Sequence, residues 1–125
     1  MSNSEQLHKG QELLQKLQGE EVRREIFSLM AQVFPDFWKM TQEHLYGDIW
    51  LRPKLSVRER MMITLGALTV LVCTDELKAH MRYALNIGIS QEEILEVIMH
   101  VMHYGGWPTG ANAAFAAEDV FFPEE

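Results

Sequence analysis

Residues 56–108 read SVRERMMITLGALTVLVCTDELKAHMRYALNIGISQEEILEVIMHVMHYGGWP, and the punctuation of this stretch decides the fold class. Its most apolar part, MMITLGALTVLVC over residues 61–73, is too short for a membrane span, which needs about 20 residues, and reads as a buried helix. Ser56 followed three residues later by Glu59 is a capping-box pattern at its start. Because the run is apolar on nearly every side, the helix should be covered all round, either centrally or at a subunit contact. Thr74 or Asp75 is expected to cap the next helix, which should close near Gly88, the residue type that most readily turns left-handed. Ser90 with Glu93 forms a second capping box; Ile94, Leu95, Val97, Ile98, Val101 and Met102 then supply an apolar surface, and Gly105-Gly106 ends that helix. Trp107-Pro108 opens the last helix, with proline early, and Ala111, Ala113, Ala114, Ala116 and Ala117 permit close packing.

Outward from this stretch the helical spacing continues. A first helix is expected over residues 5–17, with Leu7, Leu13, Leu14 and Leu17 at roughly helical spacing and Gly10 interrupting them. A second, over residues 20–33, carries Val22, Ile26, Phe27, Met30 and Val33 on one face and is ended by Pro35. A third, over residues 36–46, puts Phe37, Trp38, Thr41 and Leu45 on one face, and Gly47 closes it. Residues 47–55 form a loop in which Pro53 holds Arg52 extended. No strand-like alternation of useful length appears, so the fold class is all-α, as one helical domain over residues 1–125.

Composition narrows the partners. With 11 Lys+Arg against 18 Asp+Glu the formal net charge is 11 − 18 = −7, which argues against nucleic acid or an anionic membrane as partner, because phosphate contacts need clustered basic residues. Cys73 is the one cysteine, so no disulfide closes within the chain. The first ten residues, MSNSEQLHKG, are polar and carry no apolar targeting segment, so a cytoplasmic location is expected.

Several residues carry chemistry. Glu76 and His80, four apart on one helix, share a face; a carboxylate beside an imidazole favours the imidazolium and orients the ring, which suits proton transfer near neutral pH. The competing reading is an ordinary surface pair. Glu96 and His100 repeat the spacing one helix later, with His103 and Tyr104 a turn beyond, but neither pair has the Glu-x-x-His or His-Glu-x-x-His spacing of helical metal sites, so no metal is expected. Arg52, Arg58 and Arg60 cluster before the apolar helix; a guanidinium there can hold a substrate carboxylate through paired hydrogen bonds, or pair with Asp48 or Glu59. Met61, Met62, Met81, Met99 and Met102 read as core filler, and Cys73, closing an apolar run, as an inert thiol.

Residues 46–121 resemble the carboxymuconolactone decarboxylase family, and within it the gamma-carboxymuconolactone decarboxylases. The likeness lies in YGDIWLRPKLSVRERMMITLGAL (residues 46–68), DELKAHMRYALNIGISQEEILEVIMHVMHYGGWP (75–108) and GANAAFAAEDVF (110–121). Its specificity is in the joint order of Trp50-x-Arg52-Pro53, Glu76-Leu77-x-x-His80, Asn86-x-Gly88, Glu93-x-x-Glu96, His100-x-x-x-Tyr104 and Pro108. The resemblance implies a small helical subunit of the alkyl hydroperoxidase D-like class, assembled as a ring, usually a hexamer. It also implies loss of CO₂ from gamma-carboxymuconolactone in protocatechuate catabolism, giving the oxoadipate enol-lactone without metal or organic cofactor. In that reading His80 donates the proton and Glu76 orients it and raises its pKa. Arg52 or Arg60 would bind a substrate carboxylate, and Trp50, His100 and Tyr104 would shape the pocket.

The alkyl hydroperoxidase D proteins of the wider family use Cys-x-x-Cys-x-x-x-His and an upstream Glu. Aligned on His80, this chain has Cys73 at the first cysteine but Glu76 at the second and Met61 at the upstream Glu, so an intramolecular dithiol cycle cannot operate. Three alternatives stand beside the decarboxylase: a same-fold enzyme acting on another unsaturated acid or lactone, a thiol-dependent peroxidase using Cys73 with an external thiol, and a non-catalytic oligomeric scaffold.

Overall fold

A computed structural model describes residues 2–19 and 30–123, which form helices and turns with no strand among them. The chain divides into two compact units, residues 1–57 and 58–125.

In the first unit, α1 (Asn3–Gln18) is capped by the Ser2 side chain, which accepts from the Glu5 N–H, and it runs unbroken through Gly10. Gly10 therefore does not interrupt this helix as its sequence suggests. Its lack of a side chain lets α1 approach the backbone near Gln42, where a Cβ would stand 1.8 Å from the carbonyl oxygen. Gly47 does the same in return, at 2.0 Å from the Gln6 carbonyl oxygen. Leu13, Leu14 and Leu17 are buried along α1.

The expected helix over residues 20–33 lies outside the described residues except for 30–33, which are helical. Pro35 then starts α2 (Pro35–Met40), a position where its missing N–H costs no hydrogen bond. The expected helix over 36–46 changes character part-way, because Thr41–Tyr46 is a single π-helical turn. Thr41 Oγ1 donates to the Phe37 carbonyl at 2.8 Å and Gln42 Nε2 to the Trp38 carbonyl at 3.3 Å, side-chain bonds that compete with the regular ladder. A short 3₁₀ turn, Ile49–Leu51, follows, and Trp50 lies buried against the Tyr46 ring with centroids 5.6 Å apart.

The second unit holds α3 (Val57–Val70), α4 (Thr74–Asn86), α5 (Gln91–Gly105) and α6 (Trp107–Phe121). Helix α6 packs on both α4 and α5, and its buried residues are all small: Gly110, Ala113, Ala116 and Ala117. On the two helices it packs against, Leu77, Met81 and Ile94 are fully buried. Met102 fills the space a side chain at Gly110 would take, since a Cβ there would meet its Sδ at 2.6 Å. Helix α3 buries Met61, Leu65, Gly66 and Thr69, but Ile63 and Val70 face outward. Among the described residues, therefore, this helix is not covered on every side.

The capping box at Ser90 and the glycine turns follow local chemistry. Ser90 and Glu93 form the expected capping box, each side chain accepting from the other's backbone N–H at 3.0 Å. Gly88 and Gly106 take the left-handed turns after α4 and α5, and Ser56 stands immediately before α3. At α4, however, the N-cap position falls on Cys73, not on Thr74 or Asp75. The Thr74 hydroxyl is engaged elsewhere, 3.0 Å from the donating Asn112 amide of α6. Val72 precedes it at φ 58, a left-handed backbone that lets the Cys73 N–H reach the Leu68 carbonyl at 3.0 Å. Among the described residues no helix is long and apolar enough to cross a membrane.

Candidate functional site

Helix α4 carries Glu76 and His80, the pair the sequence singles out. Cys73, Glu76, His80 and Tyr83 recur at helical spacing, so they share one face, while Leu77, Met81 and Ala84 turn into the core. His80 is buried with only 6% of its surface exposed, and Tyr83 is more deeply buried still. The two rings meet with centroids 5.1 Å apart and planes tilted by 58°. Glu76 is half-buried one turn before His80.

The ring of His80 is held by a peptide group. Its Nδ1 lies 2.8 Å from the Glu76 carbonyl oxygen, and since a carbonyl only accepts, Nδ1 carries the hydrogen and the neutral ring bears its lone pair on Nε2. Glu76 thus orients His80 through its backbone. The expected rise in the imidazole pKa is also corrected: burial pushes His80 below its ordinary value, against a smaller upward pull from the hydrogen bond to the Glu76 carbonyl. Glu76 itself is pushed up, chiefly by burial and secondarily by the neighbouring Asp75 carboxylate. The site is therefore biased toward neutral groups, because the charged forms have lost water.

The other expected residues are distributed between the two units. Trp50 is buried in the first unit beside Tyr46, and Arg52 is exposed there with the extended backbone expected before Pro53. In the second unit Arg60 is half-buried with its Nε out of solvent. Arg58 holds the carboxylate of Glu93, the residue that caps α5. His100 and Tyr104 are brought together on α5, centroids 5.5 Å apart, but they stand in solvent, Tyr104 at 81% exposure. Glu96 is exposed on the same helix, and among the described residues no three His, Cys, Asp or Glu side chains gather as metal ligands. Cys73 is half-buried, its Sγ 3.9 Å from the Leu71 carbonyl oxygen. Two features near this face escaped the sequence reading. Tyr83, three positions after His80, had a signal in its spacing, whereas the Thr74–Asn112 pair joins residues 38 apart and had none.

The model of the carboxymuconolactone decarboxylase family matches residues 35–119, a span that includes every one of these positions. The chain belongs to that family. Among curated proteins, the 4-carboxymuconolactone decarboxylase of Acinetobacter baylyi is 32% identical over 120 residues, covering 95% of this chain and 90% of that protein. The nitrosuccinic acid decarboxylase of Metarhizium robertsii is 31% identical over 80 residues, 64% of this chain and 56% of its own length. An uncharacterized 15.0 kDa protein of Paracoccus denitrificans is 29% identical over 98 residues, 77% of this chain and 73% of that one. Two of these relatives are named for loss of CO₂, which supports a carboxy-lyase among the activities of this family.

Proposed function

We propose that this protein decarboxylates gamma-carboxymuconolactone to the oxoadipate enol-lactone in protocatechuate catabolism, with His80 as the group that delivers the proton. The observation that carries the reading is His80 itself, buried and tied at Nδ1 on a family-matched helix.

The chemistry follows from the charges. The bond between ring carbon and carboxylate breaks, CO₂ departs, and the electron pair it leaves delocalises into the conjugated lactone as an enolate. A proton must then reach carbon. Burial favours the neutral form of His80, but an anionic substrate brought beside it favours the imidazolium, so substrate binding loads Nε2 with a proton taken from water. Nε2–H then protonates carbon, and the neutral ring returns to its starting tautomer. No metal or organic cofactor enters this scheme.

Arg52 or Arg60 pairs with a carboxylate that the substrate retains, as a guanidinium fork does best. Trp50, His100 and Tyr104 line the site. Exposed as they are on a single chain, His100 and Tyr104 wall a pocket only when another surface covers them. A ring of identical subunits, a hexamer, supplies that surface in this reading, and the outward Ile63, Leu71, Trp107 and Phe115 supply apolar area for its contacts. The protein works in the cytoplasm on a small lactone acid.

A second reading is favoured by the relative named for nitrosuccinic acid. Nitrosuccinic acid is also a dicarboxylic acid whose departing CO₂ leaves its electrons on an acceptor group, there the nitro oxygens. A different activated acid of that kind would use the same His80. Release of CO₂ from freshly generated gamma-carboxymuconolactone and, separately, from nitrosuccinic acid decides between them. Saturable turnover of the lactone supports the first reading; turnover of the nitro acid alone transfers the site to the second.

A further inference from the structure

Two histidines of this chain bond Nδ1 to the carbonyl four residues back: His80 to Glu76 at 2.8 Å and His103 to Met99 at 2.7 Å. The bond is therefore an ordinary habit of a helical histidine and does not by itself make a site. His103 is exposed, and its aromatic neighbour, Trp107, stands edge-on with centroids 6.3 Å apart. His80 differs in being buried, and so is its ring neighbour Tyr83, 5.1 Å away.

We propose that Tyr83 is a positioning residue for His80: its buried ring holds the imidazole in the one orientation that keeps Nδ1 on the Glu76 carbonyl and turns Nε2 away from that turn of α4. This inference rests on the reading of His80 as the proton-delivering group. Residues three apart on a helix are neighbours, so the contact is fixed by the helix itself and needs no closing segment. A flipped imidazole would face the Glu76 carbonyl with a carbon in place of Nδ1 and lose the bond. The Tyr83 ring, buried and tilted by 58° against the imidazole, packs beside it and so restricts that flip. Proton transfer to carbon depends on the direction of Nε2, so freedom of this ring would be felt in the chemical step and little in binding.

The test begins without substrate, by nuclear magnetic resonance of the histidine rings in the intact protein, Tyr83→Phe and Tyr83→Leu. Cross peaks between the His80 and Tyr83 ring protons and a single Nδ1–H tautomer are expected in the unmodified protein. Tyr83→Phe keeps the tautomer and the ring-to-ring cross peaks. Tyr83→Leu displaces the His80 signals and mixes its tautomers, while His103 is unchanged throughout. With a substrate that turns over, Tyr83→Leu lowers kcat by about tenfold or more and leaves KM within about twofold, whereas Tyr83→Phe stays near the parent. Absent cross peaks in the unmodified protein, or a folded Tyr83→Leu with parental His80 signals and kcat, would overturn the proposal. A Tyr83→Phe loss as large as that of Tyr83→Leu also overturns it, by assigning the effect to the hydroxyl. Should Tyr83→Leu fail to fold, the cross peaks of the unmodified protein and the behaviour of Tyr83→Phe still decide. If the resonances behave as expected but neither candidate acid is turned over, the positioning stands and the reading of the reaction falls.

Discussion

Replacing Gly10 by alanine pits two effects of opposite sign against each other. In a solvent-exposed helix interior, alanine is favoured over glycine by about 1 kcal/mol, so propensity alone makes Gly10→Ala stabilising. The structure says otherwise. The added Cβ would lie 1.8 Å from the Gln42 carbonyl oxygen, 2.8 Å from its carbon and 3.0 Å from the Gly47 nitrogen, all backbone atoms with no rotamer to yield. An ordinary carbon-to-oxygen contact of about 3.3 Å requires α1 to retreat by roughly 1.5 Å. That retreat also separates Gly47 from the Gln6 carbonyl and Gln11 from Gln42, whose side chains are bonded at 3.1 Å. A clash of this size stands at the top of the ~1–3 kcal/mol range for overpacking, so after the propensity gain the net loss is about 2 kcal/mol. Urea unfolding checks this through the midpoint at unchanged slope, with the exposed Gln15→Ala on the same helix as a control expected within about 0.5 kcal/mol of the parent. A Gly10→Ala protein as stable as the parent, or more so, refutes the close approach of α1 to residues 42–47.

Three further outcomes follow from single features. Val72 holds a left-handed backbone at φ 58, which costs an L-residue about 1–2 kcal/mol; Val72→Gly should gain up to about 1 kcal/mol after glycine's greater unfolded-state entropy, and a loss in urea unfolding would contradict the strain. Ser90→Ala removes one half of the capping box on α5 and should cost about 1 kcal/mol in the same assay, where an unchanged midpoint would show the cap to be idle. Burial depresses the folded-state pKa of His80, so its contribution to stability is complete above its ordinary 6.5 and is lost as the pH falls through the folded value. Glu76, pushed above its ordinary 4.5, acts in the opposite sense: its stability is present below 4.5 and lost as the pH rises through its folded value. Stability should therefore fall less between about pH 7.5 and 5.5 in His80→Gln than in the parent, and equal falls would place the proton uptake elsewhere.

What the chain reveals in sequence is what depends on neighbours a few residues away. Ser90 with Glu93, Gly88, Gly106 and Pro108 sit where their local chemistry puts them, since caps and turns are settled within one or two helical turns. The all-helical class and the family share this legibility, being carried by spacing and by residues in fixed order. Gly10 was open to misreading because its reason lies at Gln42, far along the chain. Thr74 looks like a cap, and only Asn112, 38 residues on, shows why Cys73 takes the position instead. The π-helical turn at Thr41–Tyr46 leaves no periodic trace distinct from an α-helix over so few residues. At the site, the spacing of Glu76 and His80 was legible but its electrostatics was not. Spacing suggested a carboxylate raising an imidazole pKa, whereas burial, a tertiary property, drives that pKa down and leaves the Glu76 carbonyl as the orienting group.

The central claim is that His80 delivers the proton in a decarboxylation. It is tested most directly by CO₂ release from gamma-carboxymuconolactone by the purified protein, treated with a chelator, beside His80→Ala characterised for unchanged helicity and assembly. The account predicts turnover that survives the chelator in the parent and falls by about 10²-fold or more in His80→Ala, the scale of a lost general acid. Full turnover by a folded His80→Ala protein would contradict it.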